Sequence, residues 1–133
     1  MTPRSDTMHT LLLIGAGGCI GAILRYEVSG WLQSGATTFP LGTLGVNVIG
    51  CFLLSLVMNL SEYRGILGEE ARVFLTIGLL GAFTTMSTFD YESFRLLEAR
   101  ETLLCAVNIL GTVALALLAV YAGRAVVLAL GRW

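Results

Sequence analysis

Four long apolar stretches, each free of charged residues, alternate with short polar segments along the chain. A membrane-spanning helix needs about 20 predominantly apolar residues, and each stretch reaches such a length with its flanking residues. The stretches cover residues 10–24, 28–61, 73–89 and 102–123. The pattern therefore predicts an all-α membrane protein with a single domain over residues 1–133. Its four transmembrane helices are expected near residues 8–32, 40–60, 71–97 and 102–130.

Residues with known positional preferences mark the expected helix ends. Pro40 suits the first turn of the second helix. Glu69 and Glu70 suit the positive N-terminal end of the third helix. Residues 61–65 are predicted to form a polar loop. Because the connections are short, consecutive helices should be antiparallel neighbours.

The composition excludes most soluble functions. Apolar residues make up 56% of the chain, charged residues only 13%, and the net charge is −1. So few charges cannot coat a soluble domain of this size, and no basic face is available for nucleic acid. Cys19, Cys51 and Cys105 match no zinc or redox spacing and are expected to be small buried apolar residues. We expect a membrane protein surrounded by lipid, without enzymatic activity or a nucleic-acid partner.

Arginine residues are distributed almost evenly between the two membrane faces. The face with both termini would hold Arg4, Arg64, Arg72, Arg124 and Arg132, and the opposite face Arg25, Arg95 and Arg100. The positive-inside rule orients membrane proteins through larger differences than this one. The distribution favours insertion both ways up, and we expect an antiparallel, dual-topology homodimer. The alternative is a single, weakly specified orientation.

Four helices leave no room for a wide pore within one chain. Any transport pathway should therefore be very narrow or lie between subunits. Gly17 and Gly21 form a GxxxG pair that permits close helix approach. On sequence alone, this pair is compatible both with a subunit contact and with packing inside one chain.

The third predicted helix contains an unusual run of hydroxyl residues after two glycines. Gly78 and Gly81 precede residues 84–88, four of which are Thr or Ser. Threonines weaken a helix, so we predict a break near residues 81–86. Irregular backbone at membrane depth is tolerated only where it is buried in protein or lines a wet cavity. Freed carbonyls would suit Na⁺, and hydroxyls with a helix N-terminus would suit an anion; the alternative is a plain kinked helix buried by its neighbours.

Several other polar residues lie within or near the predicted spans, where polar groups are candidates for function. Asn47 lies in the second helix, and Asn108 and Thr112 are one turn apart in the fourth. The alternative for Asn47 is an interhelical hydrogen bond, and for Thr112 it is a hydrogen bond to the carbonyl four residues earlier in its own helix. Arg25 lies deep in the first helix, where it could attract anions or extend to the interface. Glu92 marks the point where the third helix leaves the apolar zone.

Motifs in three of the helices resemble the CrcB/Fluc family of fluoride channels, over about residues 15–123. The hydroxyl-rich string of the third helix is the most specific of them. The residues that carry the resemblance are Gly17-Gly18, Gly21-Ala22, Arg25-Tyr26, Gly42-Thr43-Leu44, Val46-Asn47, Gly50, Gly81, Thr84-Thr85 and Ser87-Thr88-Phe89.

The resemblance implies a fold and a function. The family forms antiparallel, dual-topology homodimers with two narrow pores in the cell inner membrane, through which toxic cytoplasmic fluoride leaves passively. By this resemblance, Asn47 would hydrogen-bond fluoride, and Phe89 would be a pore phenylalanine. A polar track beside them would contain Ser87, Thr88 and Thr112, with Glu92 adjacent and Arg25 near the pore entrance. Backbone carbonyls of Gly81 and Thr84 from both subunits would hold a structural Na⁺.

The chain departs from the family pattern at two pathway positions. Met86 stands where the family usually has a second pore phenylalanine, so aromatic-edge coordination is lost there. Asn108 stands where the family has a tyrosine, which keeps a hydrogen-bond donor but changes its reach. Both departures concern the conduction rate more than the fold or the ion.

Two other functions remain as alternatives. A small multidrug-resistance-type, proton-coupled transporter would also have four helices, but it would need an acid embedded in its first helices. Here the first helix offers Arg25, with Glu27 only near its end, and Asn47 in the second is neutral. A non-transporting membrane scaffold would give the hydroxyl-rich helix no purpose.

Overall fold

The computed structural model describes residues 3–35 and 37–131, with side chains from residue 6 onward, and this part of the chain consists of helices and their connections, without a β-strand. The α-helices are α1 (Pro3–Leu32), α2 (Leu41–Arg64), α3 (Glu69–Val73), α4 (Gly81–Phe83), α5 (Met86–Glu98) and α6 (Thr102–Leu130), and a π-helical segment (Phe74–Leu80) joins α3 to α4.

Among the residues that the structure describes, four helical stretches are long and apolar enough to cross a membrane, as predicted. They are Asp6–Leu32, Leu41–Arg64, Glu69–Glu98 and Thr102–Leu130. The fourth has the predicted bounds, whereas the α1 helix, which contains the first, already begins at Pro3. The predicted loop at residues 61–65 is wrong, because α2 continues to Arg64 and ends at Gly65 with φ of 59°. Polar residues extend a helix easily once it has left the hydrocarbon, and glycine then provides the left-handed C-terminal residue.

The third span is broken at Thr84 and Thr85, inside the predicted interval. Both residues have extended backbone, with φ/ψ of −84°/156° at Thr84 and −149°/119° at Thr85. The α5 helix starts directly afterwards. The sequence did not predict the π-helical segment before the break, because its mostly apolar residues are equally compatible with an ordinary α-helix.

Glycines of α1 allow it to pack directly on the π-helical segment. A Cβ atom at Gly17 would lie 2.6 Å from the carbonyl oxygen of Phe74, and one at Gly21 would overlap the backbone of Leu79. Gly78 faces α1 from the opposite side, against Ile14 and Gly17. The GxxxG pair therefore serves packing inside one chain in this structure.

The α2 and α6 helices form the most extensive helix pair. Gly123 lies against Phe52 and Ser55, and the Ser55 hydroxyl donates a hydrogen bond to the carbonyl of Val120 (2.6 Å). The fold thus places α2 between α6 on one side and α1 on the other. The break in the third span also faces α2, because Gly50 leaves space for the side chain of Thr84.

The prediction for the three cysteines holds only in part. Cys105 is buried and Cys51 is half-buried, but Cys19 is exposed, so for it the prediction is wrong. A membrane helix can present an apolar side chain to lipid at no cost, which is why hydrophobicity alone did not predict which face Cys19 occupies.

Candidate functional site at the break in the third span

Asn47 of α2 forms two hydrogen bonds with the backbone at the break. Its amide nitrogen donates to the carbonyl of Thr85 (3.1 Å), and its amide oxygen accepts from the N–H of the same residue (2.8 Å). A break exposes backbone groups that the helix would otherwise satisfy, and at membrane depth each must find a partner. The Asn47 side chain therefore satisfies both backbone polar groups of Thr85.

The hydroxyl of Thr85 caps the helix that follows. It accepts from the backbone N–H of Thr88 (3.3 Å) and donates to the Thr88 hydroxyl (3.0 Å). The Ser87 hydroxyl lies 3.4 Å from the same oxygen. Three hydroxyl groups thus meet at the N-terminal end of α5, where the helix dipole favours negative charge.

The backbone carbonyls of Gly81 and Thr84 are among those that lose their usual helical donors at the break. In a continuous α-helix, the N–H of Thr85 would bond the carbonyl of Gly81, and that of Thr88 the carbonyl of Thr84. Here Thr85 donates to Asn47 and Thr88 to the Thr85 hydroxyl. The carbonyl oxygens of Gly81 and Thr84 are therefore not held by these donors and fit the oxygen ligands that hard cations prefer.

A groove of about 450 Å³ runs along one side of the break. Six of the residues predicted from sequence line it: Asn47, Gly81, Thr84, Met86, Phe89 and Thr112. Phe89 is 5% exposed and forms part of the groove wall, whereas Met86 is 67% exposed at its edge. This Met86 groove brings together side chains from α2, α5 and α6.

A second cavity, of about 580 Å³, lies on the other side of the break and has a different character. Arg25 lines this cleft together with Thr43, Thr85 and Thr88. Thr85 borders both the Arg25 cleft and the Met86 groove. The hydroxyl cluster therefore separates a cavity with a positive charge from one that is largely apolar.

Glu92 lies in a third cavity, of about 340 Å³, one turn beyond Phe89 on α5. Gln33, Thr38 and Arg95 also line it. One carboxylate oxygen of Glu92, Oε2, is buried without a hydrogen-bond partner, whereas Arg95 pairs with Glu98 (3.3 Å). The structure therefore does not place Glu92 in the same cavity as Met86 and Phe89.

Asn108 and Thr112 occupy the contact between α5 and α6. Asn108 is only 1% exposed, and its amide donates to the hydroxyl of Ser93 (3.0 Å). The Thr112 hydroxyl lies 3.5 Å from the Asn108 amide oxygen. Thr112 reaches the Met86 groove, whereas Asn108 lies behind it.

Sequence reasoning missed two residues of the site, Thr85 and Ser93. Thr85 belongs to the hydroxyl run but could not be distinguished from its neighbours, because its bonds depend on the backbone turning there. Ser93 is four residues after Phe89 and so lies on the same helix face. The four-residue spacing from Phe89 was the one sequence feature that could have identified Ser93 as part of the site.

A family model described as "CrcB-like protein, Camphor Resistance (CrcB)" matches residues 12–124. The chain belongs to the CrcB family. The match to the CrcB model includes the second and third spans, most of the first and fourth, and each residue predicted for the site.

Proteins similar to this CrcB chain are named as fluoride channels. "Fluoride-specific ion channel FluC 1" of Methanosarcina acetivorans is 60% identical over 88% of this chain and 89% of its own length. FluC 3 of Methanosarcina barkeri is 53% identical over 91% of the chain and 92% of its own length. FluC of Geotalea daltonii is 44% identical over 89% and 96%.

These comparisons confirm the resemblance found in the sequence. A CrcB chain is a multi-pass membrane protein of a channel family, as expected, and not an enzyme. Membership in this family favours a channel over the multidrug-transporter and scaffold alternatives.

Proposed function

We propose that this protein is a fluoride-selective channel of the cell inner membrane that lets toxic cytoplasmic fluoride leave passively. The observation that carries the proposal is the broken third span, where uncharged hydrogen-bonding groups are concentrated beside Asn47. The names of the relatives support the choice of ion.

The working unit is an antiparallel homodimer of two inverted copies. The Met86 groove supports this, because Met86 is exposed at its edge on the protomer, and the neighbouring hydroxyl residues Ser87 and Thr88 are exposed as well. Irregular backbone at membrane depth requires cover by protein or water. A second copy related by a two-fold axis would cover the groove with its own copy of the groove surface. The nearly even distribution of arginines between the two membrane faces permits this second copy to insert in the inverted orientation.

The fluoride pathway passes the break. Fluoride is small and strongly hydrated, so the pore must replace water with closely spaced donors that bind weakly enough to release the ion. One N–H of the Asn47 amide bonds Thr85, and the second remains available as a donor. Arg25 would attract the anion at the entrance. The proposed pathway comprises Asn47, Met86, Ser87, Thr88, Phe89 and Thr112, with Asn108 behind it and Glu92 in the neighbouring cavity.

Apolar side chains narrow this pathway. The edge of the Phe89 ring carries partial positive charge and can face a small anion. Met86 supplies a polarizable thioether instead of a second ring. Selectivity against chloride follows from narrowness and from the density of donors, since chloride is larger and gains less from each hydrogen bond.

A structural Na⁺ is proposed to bind between the two copies. The carbonyls of Gly81 and Thr84, released from their helical donors, would hold it, and two-fold symmetry would double their number. An ion bound there would supply fixed positive charge that joins the two breaks. Asn47 and Thr85 would keep these carbonyls available to the ion, because they bind the two backbone N–H groups that would otherwise bond the carbonyls in a continuous helix.

Efflux from proteoliposomes tests the proposed channel. Liposomes loaded with fluoride or chloride and containing the purified protein should release fluoride rapidly and chloride little, as measured with ion-selective electrodes. Release of chloride as fast as fluoride, or no release of fluoride, would contradict the proposal.

Two phenylalanines of α5 provide a matched pair for the same assay. Phe89→Ala removes a groove wall and should lower fluoride release by about tenfold or more, the effect of a large buried side chain on a narrow site. Phe94 is exposed on the same helix, and Phe94→Ala should release fluoride at nearly the wild-type rate. Equal rates for the two variants would remove Phe89 from the pathway.

A further inference from the structure

The hydroxyl of Ser93 connects the backbone at Phe89 to the α6 helix. It donates to the carbonyl of Phe89 (2.8 Å) and accepts from the Asn108 amide (3.0 Å). Ser93 is 6% exposed, and Asn108 is more deeply buried still. These two bonds form a continuous bridge from α5 to α6.

The direction of each bond is fixed by the groups involved. A backbone carbonyl can only accept, so the Ser93 proton is committed to Phe89, and an oxygen lone pair receives the Asn108 N–H. The Asn108 amide oxygen then faces the hydroxyl of Thr112, 3.5 Å away. The bridge therefore extends from Phe89 to Thr112, two residues that both line the Met86 groove.

A serine in a helix commonly bonds the carbonyl four residues earlier. What distinguishes Ser93 is that the same oxygen also receives a bond from another helix. The contact between α5 and α6 is much smaller than that between α2 and α6, so fewer apolar contacts hold Phe89 at its distance from α6. A hydrogen bond buried in such a contact contributes strongly to its geometry.

We propose that Ser93, through its bond with Asn108, is a positioning residue that sets the spacing of Phe89 and Thr112 and thereby the selectivity of the pathway. Ser93 does not itself touch the ion. This inference rests on the proposed fluoride channel function, because the spacing matters only where an ion passes.

Fluoride and chloride release from proteoliposomes measures this role. Ser93→Ala removes both bonds of the bridge and should lower the ratio of fluoride to chloride permeability by about tenfold, the size expected for one buried hydrogen bond. Ser93→Ala, Asn108→Ala and the double variant should all have similar ratios, because each breaks the same bridge.

Ser55→Ala is the matched control. Ser55 is 5% exposed and also bonds a backbone carbonyl of another helix, but it lies in the contact between α2 and α6. Its loss should lower the thermal stability of the protein and leave the permeability ratio unchanged. A purely structural role for Ser93 would give the same result as Ser55.

The outcomes separate the two proposals. If the wild type does not release fluoride selectively, the channel function is wrong, and this inference falls with it. If the wild type is selective and folded Ser93→Ala keeps its ratio, the positioning role alone is overturned. Where Ser93→Ala does not fold, Ser93→Cys, whose thiol bonds weakly, should show a smaller loss of selectivity, and a wild-type ratio for it overturns the role.

Discussion

Asn47 shows how a single residue makes a broken membrane helix tolerable. Its amide binds the N–H and the carbonyl of Thr85 at once through separate acceptor and donor atoms, which an ionised carboxylate, as an acceptor only, could not do. The sequence indicated that a polar group in an apolar helix needs a partner, but it could not identify Thr85. That pairing joins residues of two helices far apart in the chain, and it arises only once both helices have packed.

Variants of Asn47 separate its two bonds. Asn47→Asp keeps an acceptor for the Thr85 N–H but loses the donor to the Thr85 carbonyl and adds negative charge, which repels an anion. We expect both Asn47→Asp and Asn47→Ala to lower fluoride release by about tenfold or more, since a buried polar group is left unpaired.

Asn59→Ala is the control for these variants. Asn59 is also an amide of α2, but it bonds the carbonyl of Ser55 within its own helix, away from the break. Fluoride release by this variant should stay close to the wild-type rate. Unchanged release by Asn47→Ala would show that the break does not depend on this side chain.

At the scale of elements, the sequence predicted the features that have a distinctive residue composition. It missed the features that depend on how the helices pack. The break in the third span was predictable because glycines and a dense run of hydroxyls mark it. The π-helical segment Phe74–Leu80 was not, since its mostly apolar sequence is equally compatible with an ordinary α-helix. Asn108 was recognisable as a polar residue in a membrane helix, but its burial behind the groove depends on the contact with Ser93.

Gly21 tests whether the packing of α1 on the π-helical segment supports the fold. A Cβ atom there would overlap the backbone of Leu79, which cannot move without shifting the segment that leads to the break. Gly21→Ala should destabilise the protein by about 1–3 kcal/mol, the usual cost of overpacking. The measurement is the thermal unfolding midpoint of the purified protein in detergent.

Gly15→Ala provides the comparison on the same helix. A Cβ atom at Gly15 would meet nothing within 4 Å, and alanine favours a helix more than glycine does. Its midpoint should equal or exceed that of the wild type. If both variants lowered the midpoint equally, close approach at Gly21 would not explain the loss.

At the scale of the whole molecule, the proposed function depends on two copies that insert in opposite directions. The sequence supports this through the similar arginine content of its two faces, and the protomer supports it through the open Met86 groove. A single chain cannot reveal its partner's orientation, because the same surface faces lipid or protein according to what surrounds it.

Reporters fused to the C-terminus measure the orientation directly. A reporter active only in the cytoplasm and one active only outside it should both give a signal. Several arginines added to the connection at residues 65–68 should restrict insertion to one direction and abolish fluoride release. Co-expression with a variant carrying arginines at residues 34–38 should restore it. A signal from one side alone in the unmodified protein would contradict dual insertion.

The reversal potential of the purified protein in a planar lipid bilayer, under opposed gradients of fluoride and chloride, tests fluoride-selective passive permeation most directly. Selective permeation past the break predicts a current that reverses at the equilibrium potential of fluoride and does not depend on a proton gradient. A reversal potential that follows chloride, or transport that requires a proton gradient, would contradict it.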